Sequence, residues 1–480
     1  MLHPYERRSL SRRGFVAGLA AGLGIAGIPL TLLARKAFDN RRLADSHVTP
    51  NGKPAQPDRM PGPFPGRVVE VHDPHAVDAE HRIDRSTVRR MLDRGMCEFT
   101  GADHPVEAWK TFFSPGEVIG IKVNPVGTNI DPGTRRPRPH VVGSVSNPEV
   151  LFEIVRNLKA IGVKPQDIVV FERYASEFVG AGYEKVMGER EMDDVRWAAS
   201  GAGYSALQLA ITGVDNPDAH SPELLKHVTG YDPDTFVHMG FAAPEHSQKD
   251  DRRFRSHLST IITRMVDKFI TIPVLKDHRS AGVTLALKNM SHGLNNNVAR
   301  SHISGIAHGY PDSLGRGQDG PNQCNVFIPT AVNQPAIRQK ATFHILDGLI
   351  AVYEGGPGCW NKSWGTWRAN SLFFATDPVA MDHVGWDIID AKRVALGLPR
   401  VGEIGRRDFS PERQAHMIAS AMLPGSAMDA ITRTAAAEFV RGAGDSEVFD
   451  RRTPEHVILA AMIGLGEFDL NKIAYRRVTL

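Results

Sequence analysis

Five short apolar segments, each closing on or running into polar residues, recur along this chain at residues 117–124, 167–171, 268–275, 343–347 and 371–375. Between them lie stretches with helical spacing. Asn147 and Pro148 form a start signal followed by Val150, Ile154, Leu158 and Ile161, and Thr376-Asp377-Pro378 precedes Val379, Val384, Ile388 and Ile389. Apolar runs of this length without strict alternation suit strands covered on both faces. The alternation therefore predicts an α/β fold, a mostly parallel sheet with flanking helices. Residues 68–71 supply a further strand, 82–95 a helix, 258–266 and 282–289 two more helices, and 471–478 a last strand. Residues 191–256, with scattered Gly, Asp, Pro and His, lack the rhythm and are expected to form a less regular insertion or lid.

The chain opens differently. Arg7, Arg8, Arg12 and Arg13 precede a Gly-, Ala- and Leu-rich stretch that runs from Phe15 to Ala34 and ends at Arg35-Lys36. Ser11-Arg12-Arg13-Gly14-Phe15-Val16 reads as a twin-arginine export signal, so the export machinery is an expected partner. The expected destination is the periplasm or the outer face of the cytoplasmic membrane. No clean Ala-x-Ala cleavage site follows, which leaves retention as an N-terminal membrane attachment open. A hydrophobic N-terminal helix with a chance Arg pair is the other reading. Residues 37–66 carry Pro50, Gly52, Pro54, Pro57, Pro61, Gly62, Pro63, Pro65 and Gly66, the composition of an extended linker. Residues 67–400 would then form the α/β domain, and 401–480 a helical segment, including 411–422 and 426–440, before the final strand.

Composition narrows the chemistry. A formal charge of +3 is small for 480 residues and does not argue for a nucleic-acid surface. Cys97, Cys324 and Cys359 are the only cysteines and include no C-x-x-C pair, which rules out a cysteine-ligated iron–sulfur cluster and a four-cysteine zinc site. Any divalent metal would use the 20 histidines together with carboxylates.

Ligands in α/β sheets gather at the carboxyl ends of strands, and four polar clusters sit at such places. Lys122 and Asn124 share one side of their strand, Lys122 either as an anion contact or as a solvated end residue. Lys276-Asp277-His278 closes a second strand and leads to Lys288, Asn289 and His292, with His302 and His308 beyond. Lys288 and His292 share a helix face if the helix persists that far. Asp347 leads towards Glu354 and the glycines Gly355, Gly356 and Gly358, whose backbone amides either approach an anion or sugar or form a structural turn around a buried Asp347. That loop lacks both the phosphate-loop and the dinucleotide signatures. Trp360, Trp364 and Trp367 could line an organic ligand or cover a hydrophobic edge. Asp377 reads first as a helix cap, with Asp382 and His383 in the following turns.

The blocks P-V-L-K-D-H…G-V-T-L-A-L-K-N-M, H-I-L-D-G-L-I-A-V-Y-E-G-G-P-G and F-F-A-T-D-P-V-A-M-D, with the earlier G-I-K-V-N, resemble the bacterial and archaeal domain-of-unknown-function 362 family from about residue 115 to 395. The resemblance maps motif residues onto Lys122, Asn124, Lys276, His278, Lys288, Asn289, Asp347, Glu354, Asp377 and Asp382, without implying one reaction. Some relatives carry ferredoxin-like cysteine clusters, and this chain has none. It also has Ser291-His292-Gly293 and Asn295-Asn296-Asn297 where many members are rich in Gly and Lys.

Two functions fit these residues. One is an exported enzyme for a small anionic or polyhydroxylated substrate, its cofactor unassigned. Lys122, Lys276 and Lys288 would clamp the anion, Asp347 or Glu354 would act as acid, base or metal ligand, and His278, His292 and His302 would be metal ligands or proton carriers. Asn124, Asn289, Gly355, Gly356 and Gly358 are the candidate cofactor contacts. The other is a non-catalytic protein of the cell envelope that binds a solute or metal complex.

Overall fold

Valine- and isoleucine-rich segments pair in parallel at the centre of a ten-stranded sheet, where nearly every side chain on both faces is buried. In chain order the strands are Arg67–His72 (β1), Ile119–Lys122 (β2), Ile168–Tyr174 (β3), Arg196–Gly201 (β4), Tyr231–His238 (β5), Arg255–Ser259 (β6), Lys268–Thr271 (β7), Val274–His278 (β8), Gly282–Val283 (β9), Ala341–Glu354 (β10), Gly365–Ala375 (β11) and Ala474–Thr479 (β12). The sheet runs β12-β1-β11-β10-β7-β2-β3-β4, with β8 beside β10 and β9 beside β8; β5 and β6 form a separate hairpin. Pairing is parallel from β10 through β7, β2 and β3 to β4, and antiparallel where β11 lies between β1 and β10. The fold is α/β with a mixed, largely parallel sheet.

Helices cover the sheet: Arg85–Thr100 (α1), Pro105–Lys110 (α2), Pro148–Ala160 (α3), Ala175–Gly180 (α4), Tyr183–Glu189 (α5), Pro222–Leu225 (α6), Leu285–His292 (α7), Gln323–Val332 (α8), Pro335–Lys340 (α9), Pro378–Ala395 (α10) and Glu455–Met462 (α11). Their starts follow from local chemistry. The Asp84 carboxylate accepts from Thr87 N at the head of α1, and the Asn147 side chain accepts from Glu149 N at the head of α3, with Pro148 in the first turn. The computed structural model describes residues 59–130, 138, 140–189, 192, 194–204, 208–239, 249–278, 280–302, 323–359, 364–401 and 454–480. The expected export segment, most of the expected linker and the helices expected over 411–422 and 426–440 lie outside these residues. Among the described residues no helix is long and apolar enough to cross a membrane.

Several local expectations are corrected. The segment 268–275 is two strands, since Pro273 has no N–H to continue a ladder and the chain changes neighbours there. Residues 258–266 do not form one helix: Leu258 lies inside β6, and only Ile261–Met265 turns, as a π-helix. The β-branched run Thr260-Ile261-Ile262-Thr263 is poorly suited to a regular α-helix. The region 191–256 contributes β4 to the main sheet and β5 to the hairpin. Nor does the strand at 343–347 stop at Asp347. β10 continues for 14 residues, bulging after Gly348, so its first part pairs with β7 and its second with β8.

Candidate functional site

The carboxyl ends of β2, β3 and β8 and the helix α7 bring three lysines into the protein interior. Lys122 closes β2, a strand with neighbours on both sides, and is 1% exposed. Its Nζ donates to Glu172 Oε2 on β3 at 2.5 Å, to Val123 O at 2.7 Å and to Asn289 Oδ1 on α7 at 3.3 Å. All three N–H groups are thereby used. Burial lowers the pKa of this ammonium, and Glu172 opposes the shift. Gly293 is needed for the packing: a Cβ there would lie 2.7 Å from Lys122 Nζ and 2.3 Å from Asn289 O.

Lys276, on β8, donates to Asn124 Oδ1 at 3.3 Å and to Val126 O. Burial first, then repulsion from Lys288, brings its pKa down to about 7. Lys288 on α7 is brought to about 8 by burial, with Cys324 opposing. Asp382 places α7 from outside: its carboxylate, on α10, accepts from Ala286 N at 2.7 Å and Leu287 N at 2.9 Å, amides that no earlier turn of α7 can satisfy. Leu285 precedes them at φ +49°, a conformation that needs such fixing.

The last turn of β3 completes the cluster. Arg173 Nη1 donates to His292 O at 2.8 Å, and its guanidinium lies 4.3 Å from the ring centre of Tyr174. Glu177 follows on α4, and burial lifts its carboxyl pKa to about 7 against the pull of Arg173. Glu172, Arg173, Tyr174 and Glu177 were not among the candidates from sequence. The polar end of β3 was their signal, but its meaning depends on pairing with β2.

The other candidates take different places. Asp347 is buried in β10, accepting from Asn147 N at 2.6 Å and Leu349 N at 3.0 Å, and burial raises its pKa to about 6. Glu354 pairs with Arg393 of α10, both buried. Asp277 Oδ1 accepts from Gly356 N at 2.7 Å, and a Cβ on Gly356 would lie 2.0 Å from Asp277 O. The glycine turn, with Gly355 at φ +85° and Gly358 beyond it, is thus seated against the protein's own strand β8. His278 Nδ1 accepts from Ser280 N and Ala281 N, 3.0 and 3.1 Å away. His292 does share the inner face of α7 with Lys288, and its ring nitrogens meet Ser291 Oγ and Ser301 Oγ at 2.9 and 2.8 Å. Asp377 is a cap, accepting from the amides of Val379, Ala380, Gly66 and Glu467. Trp364 Nε1 donates to Val142 O, and Trp367 packs near Tyr353. The side chain of His302, with His308 and Trp360, lies outside the described residues. Among the described residues no group of three or more His, Cys, Asp or Glu is placed to hold a metal ion, and Cys97, Cys324 and Cys359 are unbridged.

No curated protein matches the chain. The model of a family described as Domain of unknown function (DUF362) matches residues 240–387. That span is narrower than 115–395; it takes in Lys276, Lys288, Asn289 and Asp382 and leaves Lys122 and Glu172 upstream. Residues 240–387 are accordingly similar to the DUF362 family.

Proposed function

We propose that this protein is an exported enzyme that binds a small anionic or polyhydroxylated substrate at the Lys276–Lys288–Asn289–Arg173 cluster and exchanges protons with it. One observation carries the reading: buried N–H donors exceed their acceptors there. Asn289 Nδ2 and Arg173 Nε have no hydrogen-bond partner among the described residues, and Lys276 uses two of its three N–H groups. Buried donors are seldom left unpaired, and an oxyanion supplies the missing acceptors. Lys122, with every N–H engaged, positions Asn289 and Glu172 instead of touching the ligand. Lys276, with a pKa of about 7, is available both as acid and as base near neutrality. Recognition is assigned to these donors.

Anion binding stabilises protonated lysine and so raises its pKa. Calorimetry with inorganic phosphate and with gluconate, at pH 8 in two buffers of different ionisation enthalpy, should show net proton uptake on binding. Affinity should fall as pH rises from 7 to 9. K276M should remove most of the uptake, and Asn289→Ala should weaken binding by about ten-fold with the fold intact by circular dichroism. Absence of saturable binding by either anion, or binding without proton uptake, would overturn the reading. Conversion of a bound metabolite, followed by mass spectrometry, separates an enzyme from a solute-binding protein.

A further inference from the structure

Two lysines of the cluster hold asparagine carboxamides in the same way, and crosswise. Lys122 at the end of β2 donates to Asn289 Oδ1 on α7, while Lys276 on β8 donates to Asn124 Oδ1 just beyond β2, each at 3.3 Å. A lysine ammonium only donates, so the amide atom it meets is the oxygen, and the NH2 of each asparagine is turned elsewhere. Asn289 Nδ2 is one of the buried donors already counted above. Asn124 Nδ2 is in the same condition, since it donates to no group among the described residues.

The Asn124 carboxamide is fixed on every other side. Val126 N donates to its Oδ1 at 3.1 Å, closing an Asx turn, and a backbone N–H can only donate, which settles again which end of the amide is the oxygen. One residue clamps its backbone from both directions: Asn124 N donates to Ser146 Oγ at 2.7 Å, and Ser146 N donates to Asn124 O at 3.0 Å. Ser146 is fully buried and donates its hydroxyl to Ile272 O between β7 and β8. Asn124 itself is 5% exposed, so little water reaches its NH2. Nδ2 and Oδ1 share one carbon, which puts Asn124 Nδ2 no more than about 5–6 Å from Lys276 Nζ. One ligand oxygen spans that gap with a hydrogen bond of about 3 Å to each nitrogen.

We propose that Asn124 is a contact residue of the anion site, its Nδ2 and the remaining N–H of Lys276 holding the same oxyanion. The two donors do different work there. Lys276, with its pKa at about 7, gives up that N–H when it passes its proton to the ligand. The amide does not titrate, so Asn124 keeps hold of the oxyanion through the transfer. Lys276 thus moves the proton, and Asn124 prevents the ligand from leaving while the lysine is uncharged.

The proposal rests on the anion reading above, and pH separates the parts of the two residues. The probe is phosphate or gluconate, whichever binds, and the ratio of wild-type to variant affinity cancels the ligand's own titration. Asn124→Ala should weaken binding about ten-fold at pH 7 and at pH 9 alike, and should keep the proton uptake at pH 8. K276M should lose the uptake together with the pH dependence. In wild-type protein carrying 15N-asparagine, the same anion should shift the side-chain NH2 signal of Asn124. That signal is assigned from Asn124→Asp, which retains an oxygen for Lys276 and Val126 and so keeps its seat. An Asn124→Ala affinity within two-fold of wild type, or an Asn124 NH2 signal that ignores the anion, overturns the contact and leaves the anion site standing. Proton uptake lost in Asn124→Ala also overturns it, because the residue would then only position Lys276. Failure of both anions to bind wild type removes both proposals.

Discussion

Two aspartates that look alike in sequence do different work. Asp377 caps its own helix and also gathers Gly66 and Glu467, whereas Asp382 reaches across to cap α7, the helix that carries Lys288 and Asn289. Removing either carboxylate strands buried amides, at a cost of about 2–4 kcal/mol. Asp377→Ala and Asp382→Ala should thus lower the midpoint of urea unfolding similarly. Only Asp382→Ala should also weaken phosphate or gluconate binding, measured where each variant is fully folded. Equal effects on binding would show that α7 is not positioned by its cap. The Asp377 role was legible because Thr-Asp-Pro announces a helix start locally. That of Asp382 was not, because its partners lie 95 and 96 residues away. The same reason separates Lys122, Lys276 and Lys288, visible as polar ends of apolar runs or as one face of a short helix, from Glu172 and Glu177, whose meaning came only when β3 lay against β2.

At the scale of the element, β10 carries opposed titrations along one buried strand. His344 contacts Thr271 Oγ1 at 2.8 Å, and burial lowers its pKa to about 3; burial raises that of Asp347 to about 6. The unfolded chain protonates His344 near pH 6.5 while the folded chain refuses the proton, so its contribution to stability is lost as pH falls from 6.5 towards 3. Asp347 acts in the other sense: the folded chain takes a proton first, and stability is gained as pH falls from about 6 towards 4. His344→Gln should flatten the acid side of the stability curve, changing its slope by up to about 1.4 kcal/mol per pH unit. Asp347→Asn should steepen it between pH 6 and 4. Urea titrations across pH 4–7 test both signs, and parallel curves for wild type and variants would contradict them. The start of β10 was legible from Phe343-His344-Ile345-Leu346, but its length was not. A glycine after a strand-end aspartate reads locally as a turn, and only the ring of Phe373, with an atom 3.0 Å from a Cβ built on Gly348, shows why the strand continues through it.

At the scale of the molecule, the parallel centre of the sheet was evident from apolar runs, while the antiparallel insertion of β11 and the split at Pro273 were set by long-range pairing. The export proposal turns on Arg12 and Arg13 ahead of the apolar stretch from Phe15 to Ala34. Replacing both with Lys should hold the protein in the cytoplasmic fraction, whereas wild type should appear in the periplasm or with the outer face of the inner membrane; identical fractionation would remove the proposal. The outer edge of the sheet bears on timing. β12 pairs with β1, and Tyr475 donates to Glu70 across 405 residues of chain. At ordinary rates of synthesis, roughly 20–80 s pass between the appearance of these two partners. Throughout that interval β1 lacks its outer neighbour, so completion of this edge waits for residues 474–479 to be made. Until then β1 is an unpaired border open to a second chain, and the docking of β12 replaces it at the edge with a strand carrying Arg476 and Arg477, charges of the kind that discourage edge-to-edge pairing.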